Sequence, residues 1–346
     1  MGILPRANGA RQTGKLSVTR DTSGRLYSVN VPIVTESDPA WFQAAATIAG
    51  FGPENTYSVR ARHMLTMGKA QEKLAKSDKH SKRYRSAALH LAPHYMSGRN
   101  VCAMAHGCAA VCVGFNGKGV LANDAFEGEN NAWRTNLVSH ALQHAVHAAR
   151  IAKTRLLAMA PELFAEALEL SIGRFVRACV KDGKRPLIRP NATSDIPWET
   201  WRPDRWVGFD LFERFPSVQW YDYTKLFMRA SAFARGHMPR NYDITFSRDE
   251  TNGHKVNKLL ELGGRVAVVV RSAPMITSWG APLAELGRAA TRHAITHGIP
   301  GIDDRFPRVD GDKHDMRHTE PKPGVVVLYA KGRAARDNSG FAVDLN

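Results

Sequence analysis

The chain has no run of 18 apolar residues, and its first twenty, MGILPRANGARQTGKLSVTR, contain no continuous apolar core. It therefore offers neither a membrane-spanning helix nor a secretory leader, and the expectation is a cytoplasmic protein with no membrane partner. Cysteine is scarce: four in 346 residues cannot build a disulfide framework and suit a reducing compartment. Acidic residues are short too, with 32 Asp and Glu against 48 Lys and Arg, a net charge of +16. Such an excess favours a polyanionic partner through counterion release. Hydrophobic content of 43% is ordinary for a folded chain, and the length allows one large domain plus appendages.

Three of the four cysteines lie in one stretch, Asn100 to Gly119, NVCAMAHGCAAVCVGFNGKG. Cys102, Cys108 and Cys112 have the spacing C-x5-C-x3-C, with His106 and several glycines among them. An odd number of thiols cannot pair off locally, so the loop reads as a metal or cluster site. A closed zinc site needs a fourth ligand, which His106 or Cys179 would supply. A [4Fe-4S] cluster held by three cysteines instead keeps one iron open for a small molecule. Radical S-adenosylmethionine enzymes bind their cosubstrate at such an iron. The loop resembles them distantly, since their spacing is C-x3-C-x2-C. Iron-sulfur is the preferred reading and zinc the alternative metal.

Residues 1–24 lack hydrophobic periodicity and read as a disordered basic arm. Residues 25–88 form an N-terminal extension. In it Leu26 to Val34 is a first strand and DPAWFQAAATIAG a short helix ending at Gly. From Arg60 to Arg85 only Glu72 and Asp78 offset the Lys and Arg. This run reads as a solvated helix or linker, and with Tyr84 available for stacking it is the candidate nucleic-acid contact. Residues 89–343 are the core domain, beginning with the cysteine loop. Trp133 to about Ala178 predicts two helices broken near Pro161. His140, His144 and His147 share one face of the first, with no acid or cysteine beside them, and read as a packed stripe.

Then come five short β-branched or aromatic segments: Pro186 to Arg189, Val218 to Tyr223, Tyr242 to Ser247, Arg265 to Val270 and Val325 to Ala330. The first four are separated by about the length of a β-α unit. The predicted fold is α/β: a partial (β/α) barrel of about six mostly parallel strands, preceded by the cysteine-rich cluster loop and a basic, partly disordered N-terminal region. Polar residues recur just after the strands: Asn191, Thr193, Ser194 and Asp195; then Tyr221, Asp222, Tyr223, Thr224 and Lys225; then Thr245, Ser247 and Arg248. Carboxyl ends of parallel strands form the active-site rim in such folds, so these residues point to one shared pocket. In DDRFPRVDGDKHDMRH, the residues Asp310, Asp312 and Asp315 around Gly311 have the spacing of a hard-cation loop without its closing Glu. Magnesium and an ion-paired turn with Arg308, Lys313 and Arg317 both remain open there.

Taken in order, NVCAMAHGCAAVCVG, RIAKTR, IRPNATSDIPWE, VQWYDYTK, NYDITFSRDE, VDGDKHDMR and LYAKGRAARDNSGF resemble the gene product eighty-eight family of bacteriophage proteins, over about Leu89 to Val343. The resemblance implies a viral origin, and hence the cytoplasm of an infected bacterial host. It also implies a pocket built from the three cysteines with Asn191, Ser194, Asp195, Tyr221, Asp222, Tyr223, Lys225, Ser247, Asp310, Asp312 and Lys331. Cys179 falls outside the matched motifs and is expected to pack in a helix. Two functions follow. In the first, a radical S-adenosylmethionine-like enzyme holds [4Fe-4S] on Cys102, Cys108 and Cys112 and binds the cosubstrate at the polar strand ends. Lys225, Lys331 and Asp222 are then the candidate catalytic groups. In the second, a metal-stabilised protein of phage replication or genome handling binds nucleic acid through Arg60 to Arg85 without catalysis.

Overall fold

The computed structural model describes residues 15–109, 111–112, 131–271 and 283–345. In chain order the elements begin with β1 (Ser17–Arg20), β2 (Leu26–Pro32), α1 (Ala40–Ile48), β3 (Thr56–Arg60), β4 (Leu65–Met67), α2 (Glu72–His80) and β5 (Tyr84–Leu89). There follow α3 (Asn131–Leu142), α4 (Ala145–Met159), α5 (Pro161–Lys181), β6 (Arg185–Arg189), α6 (Leu211–Arg214), β7 (Gln219–Thr224), α7 (Phe227–Ala234) and β8 (Tyr242–Ser247). The last are α8 (Val256–Glu261), β9 (Arg265–Arg271), α9 (Leu283–His297), β10 (Arg308–Asp310), β11 (Gly324–Tyr329) and β12 (Val343–Asp344).

Nine strands form the main sheet, in the order β10-β11-β9-β8-β7-β6-β5-β4, with β12 added beside β9. Only the β4–β5 pair is antiparallel. β9, RVAVVVR, and β11, GVVVLY, are β-branched runs of the kind that parallel sheets bury on both faces. Val266, Val268, Val270, Val325 and Val327 all lie in the main core. The mostly parallel α/β order agrees with the sequence reading, with more strands than the six expected. Among the described residues no hydrogen bonding joins β4 to β10, so the sheet is an open path rather than a closed barrel. Two joints are narrow. β6 meets β7 only at Leu187↔Gln219 and Ile188↔Trp220, and β8 meets β9 only at Phe246↔Val266 and Ser247↔Ala267. The carboxyl ends of β6 and β7 thus diverge, leaving a gap that side chains bridge.

The longest helix shows why its sequence folds as it does. Pro161 opens α5 where its missing N–H costs nothing, and Glu162 in the first turn and Lys181 in the last complement the helix dipole. Phe164, Leu168, Ile172, Phe175 and Cys179 form its buried stripe. It stops at Gly183, whose φ of 64° lets the chain reverse into β6. Cys179 is buried in the core. Among the described elements three helices, rather than two, separate β5 from β6. The break at 143–144 puts His140 on α3 and His147, fully buried, on α4, so the three histidines do not share one helix face.

Two other expectations change at the N-terminal side. Ser17–Arg20 of the supposed disordered arm pairs antiparallel with β2, which pairs with β3 in a separate three-stranded sheet. The basic run from Arg60 to Arg85 is not a free linker. It supplies the end of β3, all of β4 and α2, and the start of β5. Lys73 reaches Asp315 at 3.4 Å and Arg85 pairs with Asp182, while Arg60, Arg62, Lys79, Lys82 and Arg83 stay exposed.

Asp38 joins the small sheet to the helical layer. Its carboxylate accepts from both terminal nitrogens of Arg155 on α4, at 2.9 Å each, and from the Thr35 N–H at 2.7 Å. Arg155 also donates to the Pro32 carbonyl at 2.7 Å. Both partners are buried, so removing one strands a charge away from water. Asp38→Ala is expected to lower the unfolding free energy by about 3–5 kcal/mol; an unchanged urea midpoint would show that Arg155 finds another partner.

Candidate functional site at the carboxyl edge of the sheet

Beyond β5 the chain crosses the carboxyl ends of the parallel strands. His94 takes φ 51°, a left-handed conformation rare outside glycine, and its N–H lies 3.4 Å from Cys102 Sγ. Cys102 Sγ in turn lies 3.8 Å from the Thr193 carbonyl, and the Asp195 N–H donates to the Val101 carbonyl at 2.8 Å. The loop is thereby pinned to the end of β6. Further on, the Gly107 N–H donates to Glu250 Oε1 at 2.6 Å, beyond the end of β8. A Cβ at Gly107 would collide with the Ser339 side chain, so this close approach requires glycine.

All three loop cysteines are free thiols. Burial pushes the Cys102 thiol well above its ordinary range, and Cys112, Asp195 and Cys108 push it the same way. Burial also raises Cys108, against the pull of the Lys225 ammonium. The three thiols therefore face one region. Cys102 and Cys108 are protonated at neutral pH, so a metal must displace their protons. Among the described residues no three His, Cys, Asp or Glu side chains stand close enough to hold a metal ion, and this covers both the cysteines and the Asp310, Asp312, Asp315 loop. The soft donor set suits an iron-sulfur cluster; its present spacing does not, and loading requires the loop to draw in.

Beneath the loop, Asp195 accepts from the Lys225 N–H and the Thr224 hydroxyl, each at 2.8 Å, and from Arg229 at 2.7 Å. Arg229, buried on α7, also grips Glu199 through two bonds of 2.7 and 2.9 Å and donates to the Tyr242 hydroxyl. Lys225 Nζ lies 3.4 Å from Asp249 Oδ2 and 5.0 Å from the centre of the Phe341 ring. Asn191 bridges the gap between β6 and β7. Its amide donates to Asp222 Oδ2 at 2.5 Å and to the Ile196 carbonyl, and its Oδ1 accepts from Ser194 Oγ, the Ile196 N–H and Trp198 Nε1. Asn191 and Ser194 thus brace the strand end, and Asn191 has its bonding capacity filled from within the chain. Asp222 is fully buried, and desolvation, with Asp195 adding to it, pushes its carboxyl up to about 7 against Arg229 and Arg189. It is a proton carrier poised near neutrality.

The single pocket expected from the strand ends divides into three groups. Successive residues of a strand point to opposite faces, so Tyr221 and Tyr223 leave Asp222 behind. Their hydroxyls donate to Asp315, at 3.1 and 2.9 Å, on the other face of the sheet. Asp315 also takes Arg189 at 3.2 Å, Arg317 at 3.3 Å and Lys73. Those cations hold its carboxyl well below the usual range despite complete burial. In the third group, Asp312 accepts from Lys331 Nζ at 2.6 Å and from the Tyr329 N–H at 2.9 Å, and Asp310 accepts from the Asp312 N–H. Lys331 and Asp312 are therefore each other's partner. Ser247 stays at the end of β8, where its carbonyl accepts from the Asn252 amide.

The model of the family described as gene product 88 matches residues 63–345. The chain belongs to the gene product 88 family. No curated protein and no solved structure matches it. Among the described residues of this family member no helix is long and apolar enough to cross a membrane. The matched span begins at His63 and so takes in β4, α2 and β5, which lie before the motifs that carried the resemblance. The sequence reading overlooked Glu199, Arg229, Asp249 and Glu250. The last two directly follow Arg248, where the strand-end pattern was cut off, whereas Arg229 inside a helix gave no signal.

A carboxyl whose folded pKa is raised binds its proton more tightly in the native state, so stability falls as pH rises from the unfolded pKa of about 4 to the folded value and then levels off. For Asp222 the window closes at about 7. Asp222→Asn is expected to flatten this part of the stability–pH profile, by an amount on the order of 3 kcal/mol across the window. Superimposable wild-type and variant denaturation profiles from pH 4 to 8 would show an Asp222 carboxyl that titrates normally.

Proposed function

We propose that the carboxyl-edge site is the seat of a [4Fe-4S] cluster carried by Cys102, Cys108 and Cys112 of this phage-family protein, with one iron left for a small molecule such as S-adenosylmethionine. The observation that carries this reading is the position of the cysteine loop. It lies across the carboxyl ends of β6, β7 and β8, tied down at Cys102 by His94 and Thr193 and at Gly107 by Glu250. A small molecule held there would meet Asp195, Lys225 and Asp249 directly, with Asp222 buried one layer below as a proton reservoir. Such a cluster would supply one-electron chemistry. The chain's own residues would supply an acidic and a basic group on adjacent strand ends and a screen from water made by residues 339–341.

Lys331, committed to Asp312, lies outside this set, as do Tyr221 and Tyr223. Zinc is the second metal reading, favoured by the protonated thiols, which a structural zinc site deprotonates on binding. With zinc, the exposed cations Arg60, Lys79, Lys82 and Arg83 become the functional surface, for nucleic acid.

Anaerobic purification with iron, sulfide and zinc analysis tests the proposal. About four irons per chain are expected, with an electron paramagnetic resonance signal of the reduced protein that changes on adding S-adenosylmethionine. Cys108→Ala should lose most of the iron, and loading of the wild type should rise with pH because the thiols must give up protons. Full iron content in the variant, or stoichiometric zinc and no iron in the wild type, would overturn the cluster assignment.

A further inference from the structure

A second feature lies beside the cysteine loop and does not depend on any cluster. His90, the residue after β5, is only 6% exposed, and its Nδ1 reaches no hydrogen-bond partner. One face of α4 lies against this strand end, because Thr154 Oγ1 accepts from the Ala92 N–H at 2.8 Å. On that face Arg150 and Lys153 are one turn apart, and both keep partial access to solvent. Lys153 Nζ donates to the Met64 carbonyl at 2.9 Å, a neutral partner that leaves its charge uncompensated.

The charges around these groups are of one sign. Burial, then Arg150, Lys153 and Arg189, hold His90 well below its ordinary range. Burial, then Arg150, bring Lys153 down to about 8. Among the described residues no carboxylate acts on either. On the other side Arg150 is close enough to feel Cys112, which places the cluster of cations next to the cysteine loop. Burying positive charge without a counter-charge is costly, and a site keeps it where an anion completes it.

We propose that His90, Arg150 and Lys153 form a subsite for an oxyanion, the phosphate or carboxylate end of a small molecule whose other end reaches the cysteine loop. Lys153 and Arg150 at the mouth supply charge, and the His90 imidazole at the floor supplies an oriented polar atom. The two cations are the specificity element, since a neutral ligand leaves them as they stand.

Calorimetric titration of the full chain, at fixed ionic strength, with inorganic pyrophosphate and separately with citrate tests the subsite. One site per chain is expected for at least one of the two anions, the tighter one identifying the oxyanion. Lys153→Met should weaken binding about tenfold or more, while Lys258→Met, at an exposed position, should not. Ligand-free Lys153→Met should also melt at a higher temperature than the wild type, because it removes an uncompensated buried charge. Lys153→Gln serves as the second variant should the methionine fail to fold. Absence of heat with both anions, or equal losses in Lys153→Met and Lys258→Met, would overturn the proposal. So would a lower melting temperature for Lys153→Met without anion binding by the wild type, which would show that the ammonium is neutralised within the chain. None of these outcomes depends on iron content, so failure here leaves the cluster reading to its own test.

Discussion

One carboxylate, Asp315, holds the face of the sheet opposite the helical layer. Two tyrosines from β7, arginines from the end of β6 and from its own loop, and a lysine from α2 all converge on it. The Asp315 N–H also donates to Ser77 on α2. None of these segments has a large apolar stripe of its own, and α2 buries only Leu74 and Ser77. The ion pairs fix the loop of residues 311–323 and α2 to the strands where burial alone would not. A central anion shared by three cations is the arrangement in which burial of charge is tolerable, because each desolvated group has a partner. It also explains why a chain so rich in Lys and Arg carries fewer available cations than its composition suggests.

The parallel strands were legible because β-branched and aromatic runs bounded by polar residues have few other ways to fold. β8 spans the residues expected, and β6, β7, β9 and β11 differ by one residue at an end. β5 was missed because its short apolar half, Ser86 to Leu89, follows directly on a charge run that masks it. β10 and β12, of three and two residues, carry too little pattern to be read alone. The break between α3 and α4 was equally silent, since neither proline nor glycine marks it.

The candidate site was legible at the level of which strand ends carry chemistry, and illegible at the level of which side chains meet. Listing Tyr221, Asp222 and Tyr223 together ignores the alternation that sends the tyrosines to Asp315 and the aspartate to Asn191 and Tyr242. Pairings such as Asp312 with Lys331, or Arg229 with Asp195 and Glu199, join residues far apart in the chain and leave no periodic trace. The clustering of His90 with Lys153 and Arg150 belongs to the same class.

The contact between Gly107 and Ser339 reaches beyond the folded state. The cysteine loop is synthesised early, but its seat is finished by residues made much later: Glu250 takes the Gly107 N–H, and Arg248 donates to the carbonyls of Gly340 and Phe341. Domains assemble from the N-terminal side as the chain leaves the ribosome. For much of translation, then, the three thiols exist without their final surroundings. That interval is when oxidants reach them most easily, and also when a cofactor can be delivered without prising the protein open.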